Sequence, residues 1–131
     1  MSREITILAP RTVTDLELVE SAYGVDPELG LRRVNPGAMI QFLRDDKDVV
    51  LTVLQPSYLR APDEIDRMLP GADVAAAVRE AARRATADPA AAQPVWIEAL
   101  APWDEHGETG ARICRAVAAA VGGTCVVQDG R

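Results

Sequence analysis

Residues 29–59 constrain the fold more than any other stretch, because they read as three consecutive strands separated by two turns. The strands are residues 29–34, 38–44 and 49–55, with Asn35-Pro36-Gly37 and Asp45-Asp46-Lys47-Asp48 between them. Proline pre-sets φ at the second position of a turn and glycine accepts the positive φ that a type II turn needs at the third, so Asn-Pro-Gly has a mechanism for reversing the chain. The second turn is entirely charged and has the length of a hairpin loop, which predicts that it lies in water. Only Gln41 interrupts the apolar run Met39-Ile40-Gln41-Phe42-Leu43. Val49-Val50-Leu51-Thr52-Val53-Leu54 carries a single polar residue, the pattern of a central strand covered at least partly on both faces. A β-meander this apolar needs helices on at least one face.

The rest of the chain supplies them. Residues 3–9 have a short strand pattern around Ile5, Ile7 and Leu8, ended by Pro10. Thr14 and Glu17 have capping-box spacing, which starts a first helix running to about Tyr23, with Leu16, Val19 and Tyr23 on its inward face and Gly24 as its C-terminal cap. Pro56 ends the meander. Asp63 caps a short helix over 64–69, with Arg67 one turn away, and Pro70-Gly71 breaks it. Asp73 caps a longer helix to about Ala87 whose inward stripe is Val74, Val78, Ala81 and Ala85, leaving Arg79, Arg83 and Arg84 on solvated faces with Glu80 in reach of Arg84. Residues 95–100 then form a strand, 101–110 a loop, and 111–121 a helix with Ile113, Val117, Ala120 and Val121 inward. Gly122-Gly123 stop that helix, and Thr124-Cys125-Val126-Val127-Gln128 is the last strand. The expected fold is a single α+β domain over residues 1–131, an antiparallel β-meander plus further strands packed against about four helices.

A chain of 131 residues can bury roughly two-thirds of its unfolded surface without disulfide or metal staples. The formal net charge of -6 argues against a nucleic-acid surface, which needs a basic footprint to neutralise phosphates, and favours a basic protein partner. No run approaches the roughly 18 apolar residues of a membrane span, and Met1-Ser2-Arg3-Glu4 lacks a signal-peptide pattern, so a cytoplasmic protein is expected. It is expected to be a monomer, or a homodimer if the meander leaves an edge to pair. Cys114 and Cys125 fall on a helix and on the strand that follows it. A disulfide between them is geometrically possible, and two buried free thiols are the plainer reading.

One segment gathers chemistry-bearing groups at close spacing: Trp103, Asp104, Glu105, His106 and Glu108. Carboxylates and an imidazole suit a divalent cation in type, so a small metal-dependent enzyme using Asp104, Glu105, His106 and Glu108 is the alternative functional class. The spacing matches neither an EF-hand loop nor an H-E-x-x-H helix, and acidic residues before a helix complement its dipole without any ligand. No catalytic residue, metal or cofactor is assigned. A Cys–His pair has less support, since Cys114 belongs to an apolar helix stripe and Cys125 to a Val-rich strand. Gly122-Gly123 precede a strand and cannot cradle phosphate as a helix-initiating glycine loop does. Tyr58 and Trp103 lie at element ends beside polar residues, where an aromatic serves either as an interface anchor or as a plug at the end of the core.

The closing unit, Ile113-Cys114-Arg115-Ala116-Val117 through Val121-Gly122-Gly123-Thr124-Cys125-Val126-Val127-Gln128-Asp129-Gly130, resembles the helix, Gly-Gly, strand and Asp-Gly tail of small bacterial immunity-type proteins, which neutralise a cognate secreted toxin. The likeness covers about the last 20 residues and transfers no binding residues. The order of helix, three-strand meander, helix and strand is also similar to that of bacterial secretion chaperones of the type III kind, from which this chain departs in its leading strand and additional helices. Both resemblances imply a non-enzymatic protein-binding module. For a basic partner the expected contacts are Asp45, Asp46 and Asp48 in the acidic turn, Asp104, Glu105 and Glu108 in the second acidic segment, and the aromatics Tyr58 and Trp103. Exposed carboxylates of this kind steer a cationic partner and raise its association rate.

Overall fold

Apolar and small residues alternate with larger or polar ones along residues 95–102, and this is the strand on which the sheet is assembled. The computed structural model describes residues 2–34, 39–59, 63–71, 73–88 and 90–128. Among these the element order is β1 (Ser2–Ala9), α1 (Asp15–Val25), β2 (Gly30–Val34), β3 (Met39–Arg44), β4 (Asp48–Leu54), β5 (Ser57–Tyr58), α2 (Asp63–Met68), α3 (Ala76–Ala87), β6 (Val95–Pro102), α4 (Glu105–Val121) and β7 (Thr124–Gln128). All strands join one antiparallel sheet in the order β2-β3-β4-β6-β1-β7, with β5 also paired to β6. The chain is thus an α+β fold. The meander β2-β3-β4 supplies three of the seven strands, and β4 lies inside the sheet between β3 and β6. The turn expected at Asn35-Pro36-Gly37 lies outside the described residues. Val53 faces Ala99 and Ser57 faces Trp96, so four steps on one strand match three on the other. The extra residue is a bulge at Gln55-Pro56, where proline has no N–H to give the ladder.

The pleat sends alternate side chains to two unlike faces. On one, Ile5 and Ile7 of β1, Phe42 of β3, Leu51 and Val53 of β4, and Ile97 and Ala99 of β6 pack against Leu18 and Ala22 of α1 and Ile113, Cys114, Val117 and Val121 of α4. On the other, Leu8, Trp96 and Val126 meet Leu59, Ile65, Leu69, Val74 and Val78, contributed by α2, α3 and the segments around them. Gly107 and Gly110 let α4 lie close on the sheet, since a Cβ at either would collide with the carbonyl oxygen of Pro102 or of Val50.

Several helix signals act as the sequence indicates. Thr14 and Glu17 form a reciprocal capping box, Asp63 and Arg67 pair at 3.9 Å, and Gly122 closes α4 in the left-handed conformation at φ 70°. No helix among the described residues is long and apolar enough to cross a membrane.

Other expectations are corrected. Residues 101–110 are not a loop: β6 continues to Pro102, Asp104 caps α4, and α4 starts at Glu105. The two glycines lower local helix propensity and hide that start, although packing is what requires them. Helix α1 passes through Gly24 to Val25 and ends at Asp26. Its buried residues are Leu18 and Ala22, while Leu16 is 65% and Tyr23 43% exposed. The small Ala22 lets α1 approach its neighbours closely, and the bulkier residues remain outside. Helix α3 begins at Ala76 without a side-chain cap, so Asp73 is not its cap. The Ala75 N–H instead donates to Thr124 Oγ1 of β7 at 2.7 Å, which ties the start of the helix to the sheet. In α4, Ala120 is exposed, and Cys114 and Ala118 hold the inward positions.

Candidate partner-binding surface

The β3–β4 turn is built from residues that accept unusual backbone. The Lys47 N–H donates to the Arg44 carbonyl at 3.3 Å, and Asp45 and Asp46 both have positive φ, 56° and 58°. That is the type I′ combination, normally supplied by Asn-Gly or Asp-Gly, so Asp45 fits the first position and Asp46 stands where glycine is usual. Asp45, Asp46 and Lys47 are exposed, and Asp48 is the half-buried first residue of β4. The second acidic segment is the N-terminus of α4. Asp104 accepts from the N–H groups of His106 at 3.0 Å and Gly107 at 3.4 Å, while Glu105 and Glu108 occupy the first turn, where they complement the helix dipole.

Topology brings these two segments together at one end of the sheet through His106. Its Nδ1 lies 3.4 Å from Arg44 Nη1, and its Nε2 lies 4.0 Å from Asp48 Oδ2. A guanidinium can only donate, so this contact is a hydrogen bond when Nδ1 is the accepting ring nitrogen, and Nε2 is the nitrogen turned toward the Asp48 carboxylate. Arg44 also donates to Asp26 Oδ2 at 3.0 Å and to Thr109 Oγ1 at 3.2 Å, joining the end of α1, β3 and α4. The Asp26 carboxyl is held below its ordinary range, first by the Glu28 N–H and then by Arg44. The acidic end therefore rests on a polar cluster that fixes three elements.

No family model, curated protein or solved structure matches this chain. Its functional reading rests on geometry.

The remaining expected contacts have other places. Trp103 is half-buried, with the Arg3 guanidinium 5.3 Å from its ring centroid, and Arg3 pairs with Glu108 at 2.6 Å. Glu108 is thus engaged within the fold. Tyr58 is 58% exposed but pairs with Val95, whereas Trp103 follows Pro102 at the far end of the same strand. Eight residues of strand separate the two aromatics by roughly 25 Å, so Tyr58 does not join the acidic end. The metal reading finds no ligand set. Asp104 is occupied by helix N–H groups, Glu108 by Arg3, and His106 faces a guanidinium, and among the described residues no group of three or more His, Cys, Asp or Glu side chains is placed to hold a metal. Both cysteines are free thiols. Burial pushes the Cys114 and Cys125 thiols up from their ordinary range, away from nucleophilic chemistry.

Arg3, Asp26, Arg44 and Thr109 were not legible as site residues. Arg44 meets Asp26 across 18 positions and His106 across 62, and no local spacing encodes such pairings. They follow only from the sheet order.

Ion pairing divides the charged residues into two groups. Most arginines are committed inside the fold: Arg3 to Glu108, Arg11 to Glu17, Arg33 to Asp15, Arg44 to Asp26, Arg67 to Asp63, Arg79 to Asp66, and Arg83 and Arg84 to Glu80. Among the described residues, Asp45, Asp46 and Glu105 at the acidic end enter no ion pair, as is also true of Glu4, Glu20, Glu28, Asp73, Asp88 and Glu98 elsewhere.

Proposed function

We propose that this chain is a non-enzymatic protein-binding module that neutralises a basic protein partner, a bacterial toxin being the partner class. The reading places it in the cytoplasm and assigns it no nucleic-acid or membrane contact. The observation that carries it is the convergence of Asp45, Asp46 and Glu105, without ion-pair partners among the described residues, on an end of the sheet fixed by the Arg44 cluster. Carboxylates mounted on fixed elements present a stationary field to a cation, and such fields act mainly on encounter rate and specificity. The turn supports the reading from a second direction. Both central positions of the turn hold left-handed backbone, Asp45 where such turns favour aspartate and Asp46 where glycine is the usual choice, so the turn presents carboxylates at both. A secretion-chaperone role would use the same kind of contact and differs in what is captured, an exported substrate in place of a toxin domain.

The test is affinity co-purification of the tagged protein from its native host at low and at moderate salt. One stoichiometric basic protein, lost as salt rises, is the expected result. Absence of any partner under both conditions overturns the proposal. With the partner in hand, reversing charge at Asp45 and Asp46 is expected to weaken binding most at low salt.

A further inference from the structure

The register places one residue from each of six strands in a single row across the face that α2 and α3 leave open: Arg32, Gln41, Thr52, Leu100, Glu4 and Gln128. The meander half of this row satisfies itself, since Arg32 donates to Gln41 Oε1 and the Gln41 amide donates to Thr52 Oγ1 at 3.2 Å. The other half does not. There a groove of about 350 Å³ lies between the sheet and α2, with Leu54, Met68, Trp96 and Leu100 as apolar lining and Glu4 and Glu98 as its charged groups.

Glu4 faces Leu100, and Glu98 faces Thr6, so the two carboxylates are diagonal neighbours on adjacent strands and the same face. Residues so related have Cα atoms about 7–8 Å apart, and like charges at that spacing repel. Neither enters an ion pair among the described residues. We infer that this groove is a socket for one lysine or arginine side chain of the protein partner, its stem lying on Leu54, Met68 and Leu100 and its charged head between Glu4 and Glu98.

The lining selects that occupant by exclusion of simpler ones. A purely apolar side chain would desolvate two carboxylates without pairing them. A small inorganic cation would satisfy the carboxylates and leave the apolar wall wet. Only a long side chain with an apolar stem and a cationic head matches both parts, which is how lysine and arginine lie on half-apolar surfaces. Trp96 offers an additional ring for such a head. The inference rests on the reading of the chain as a binder of a basic partner, and adds the place where one cation of that partner is anchored.

The test titrates the full ¹⁵N-labelled chain at low salt with the blocked tripeptide acetyl-Leu-Arg-Leu-amide, and with the same peptide carrying norleucine in place of arginine. Expected are saturable shifts at the amides of Thr6, Leu54, Glu98 and Leu100 and at the Trp96 indole N–H. The norleucine peptide, and the arginine peptide on Glu98→Gln or Glu4→Gln, are expected to bind about fivefold more weakly. These glutamates are exposed, so either variant keeps the fold and leaves the rest of the spectrum unchanged. Shifts confined to Asp45, Asp46 and Glu105 would overturn the socket while leaving the acidic end as the binding surface. Equal binding of the norleucine peptide would overturn it as well, because the cation would then play no part. Absence of saturable shifts in the groove at millimolar peptide overturns the socket too, and co-purification decides the wider reading separately.

Discussion

The two faces of the sheet are closed in different ways. Under α1 and α4 the side chains are apolar and buried across the breadth of the sheet, and α4 comes so near that glycines are needed at 107 and 110. Under α2 and α3 only the end around Leu8, Trp96 and Val126 is covered, and the rest presents a polar row with Leu100 37% exposed. An antiparallel sheet tolerates one wet face because its strands need only one apolar side. The difference teaches where each property resides: cohesion of the fold on the sealed face, and freedom to carry a binding surface on the open face and at the acidic end.

The sharpest way to break this contrast is a pair of truncations. Phe42 is fully buried on the sealed face, and Phe42→Ala is expected to lower unfolding free energy by about 3–5 kcal/mol through lost transfer energy and a residual cavity. Leu100→Ala on the open face should remove less than about 1 kcal/mol. Urea unfolding of both variants decides the matter. Similar losses would mean that the open face is covered in solution.

Glycines give the next largest effect, with opposite signs in the two helices of the sealed face. Gly110→Ala places a methyl against the Val50 carbonyl and Ala101, and is expected to destabilise by about 2 kcal/mol despite the better helix propensity of alanine. Gly24 lies within α1 with open space at its Cβ position, so Gly24→Ala should stabilise by up to about 1 kcal/mol. Thermal melts of the two variants moving in the same direction would contradict the close approach of α4.

These same positions show what the sequence made legible. The meander, the Thr14–Glu17 box and the Gly122 stop were readable because each is a local agreement between residue type and backbone demand. The first two turns of α4 were not, because Gly107 and Gly110 answer to carbonyl groups of Pro102 and Val50, far away or around a corner in the chain. The inward face of α1 was missed for a related reason: its buried residues include the small Ala22, and bulk is a poor guide where helices approach closely. Both acidic segments could be seen, but not the His106 and Arg44 contacts that join them, since those depend on strand order. Glu98 had a signal in the alternation of residues 95–102, as a charge at an outward position between apolar inward ones.

A smaller effect separates stability from binding at the acidic end. Asp46→Gly removes a side chain from φ 58° and is expected to raise stability by up to about 1 kcal/mol. On the proposed function it should also slow association with the basic partner. A variant that is more stable and binds unchanged would leave the turn as scaffold only and move the contact surface towards the groove.

The smallest effect concerns the start of α1 on the sealed face. The Glu17 carboxyl is drawn down to about 2, first by Arg11, which donates to it at 2.7 Å and 2.8 Å, and then by the Thr14 N–H of the capping box. A carboxyl whose folded pKa lies below its unfolded value near 4.5 contributes stability that is fully present above that unfolded value and is lost as pH falls through the folded one. The unfolded chain takes up this proton first, so stability should decline between about pH 4.5 and pH 2. Glu17→Gln keeps the shape of the cap and removes the charge. Its deficit relative to the parent chain in urea midpoint should therefore be visible at pH 7, shrink below pH 4.5 and vanish near pH 2. A deficit that stays constant across this range would show that the glutamate acts through neutral hydrogen bonding alone, and that Arg11 is solvated when the chain is in solution.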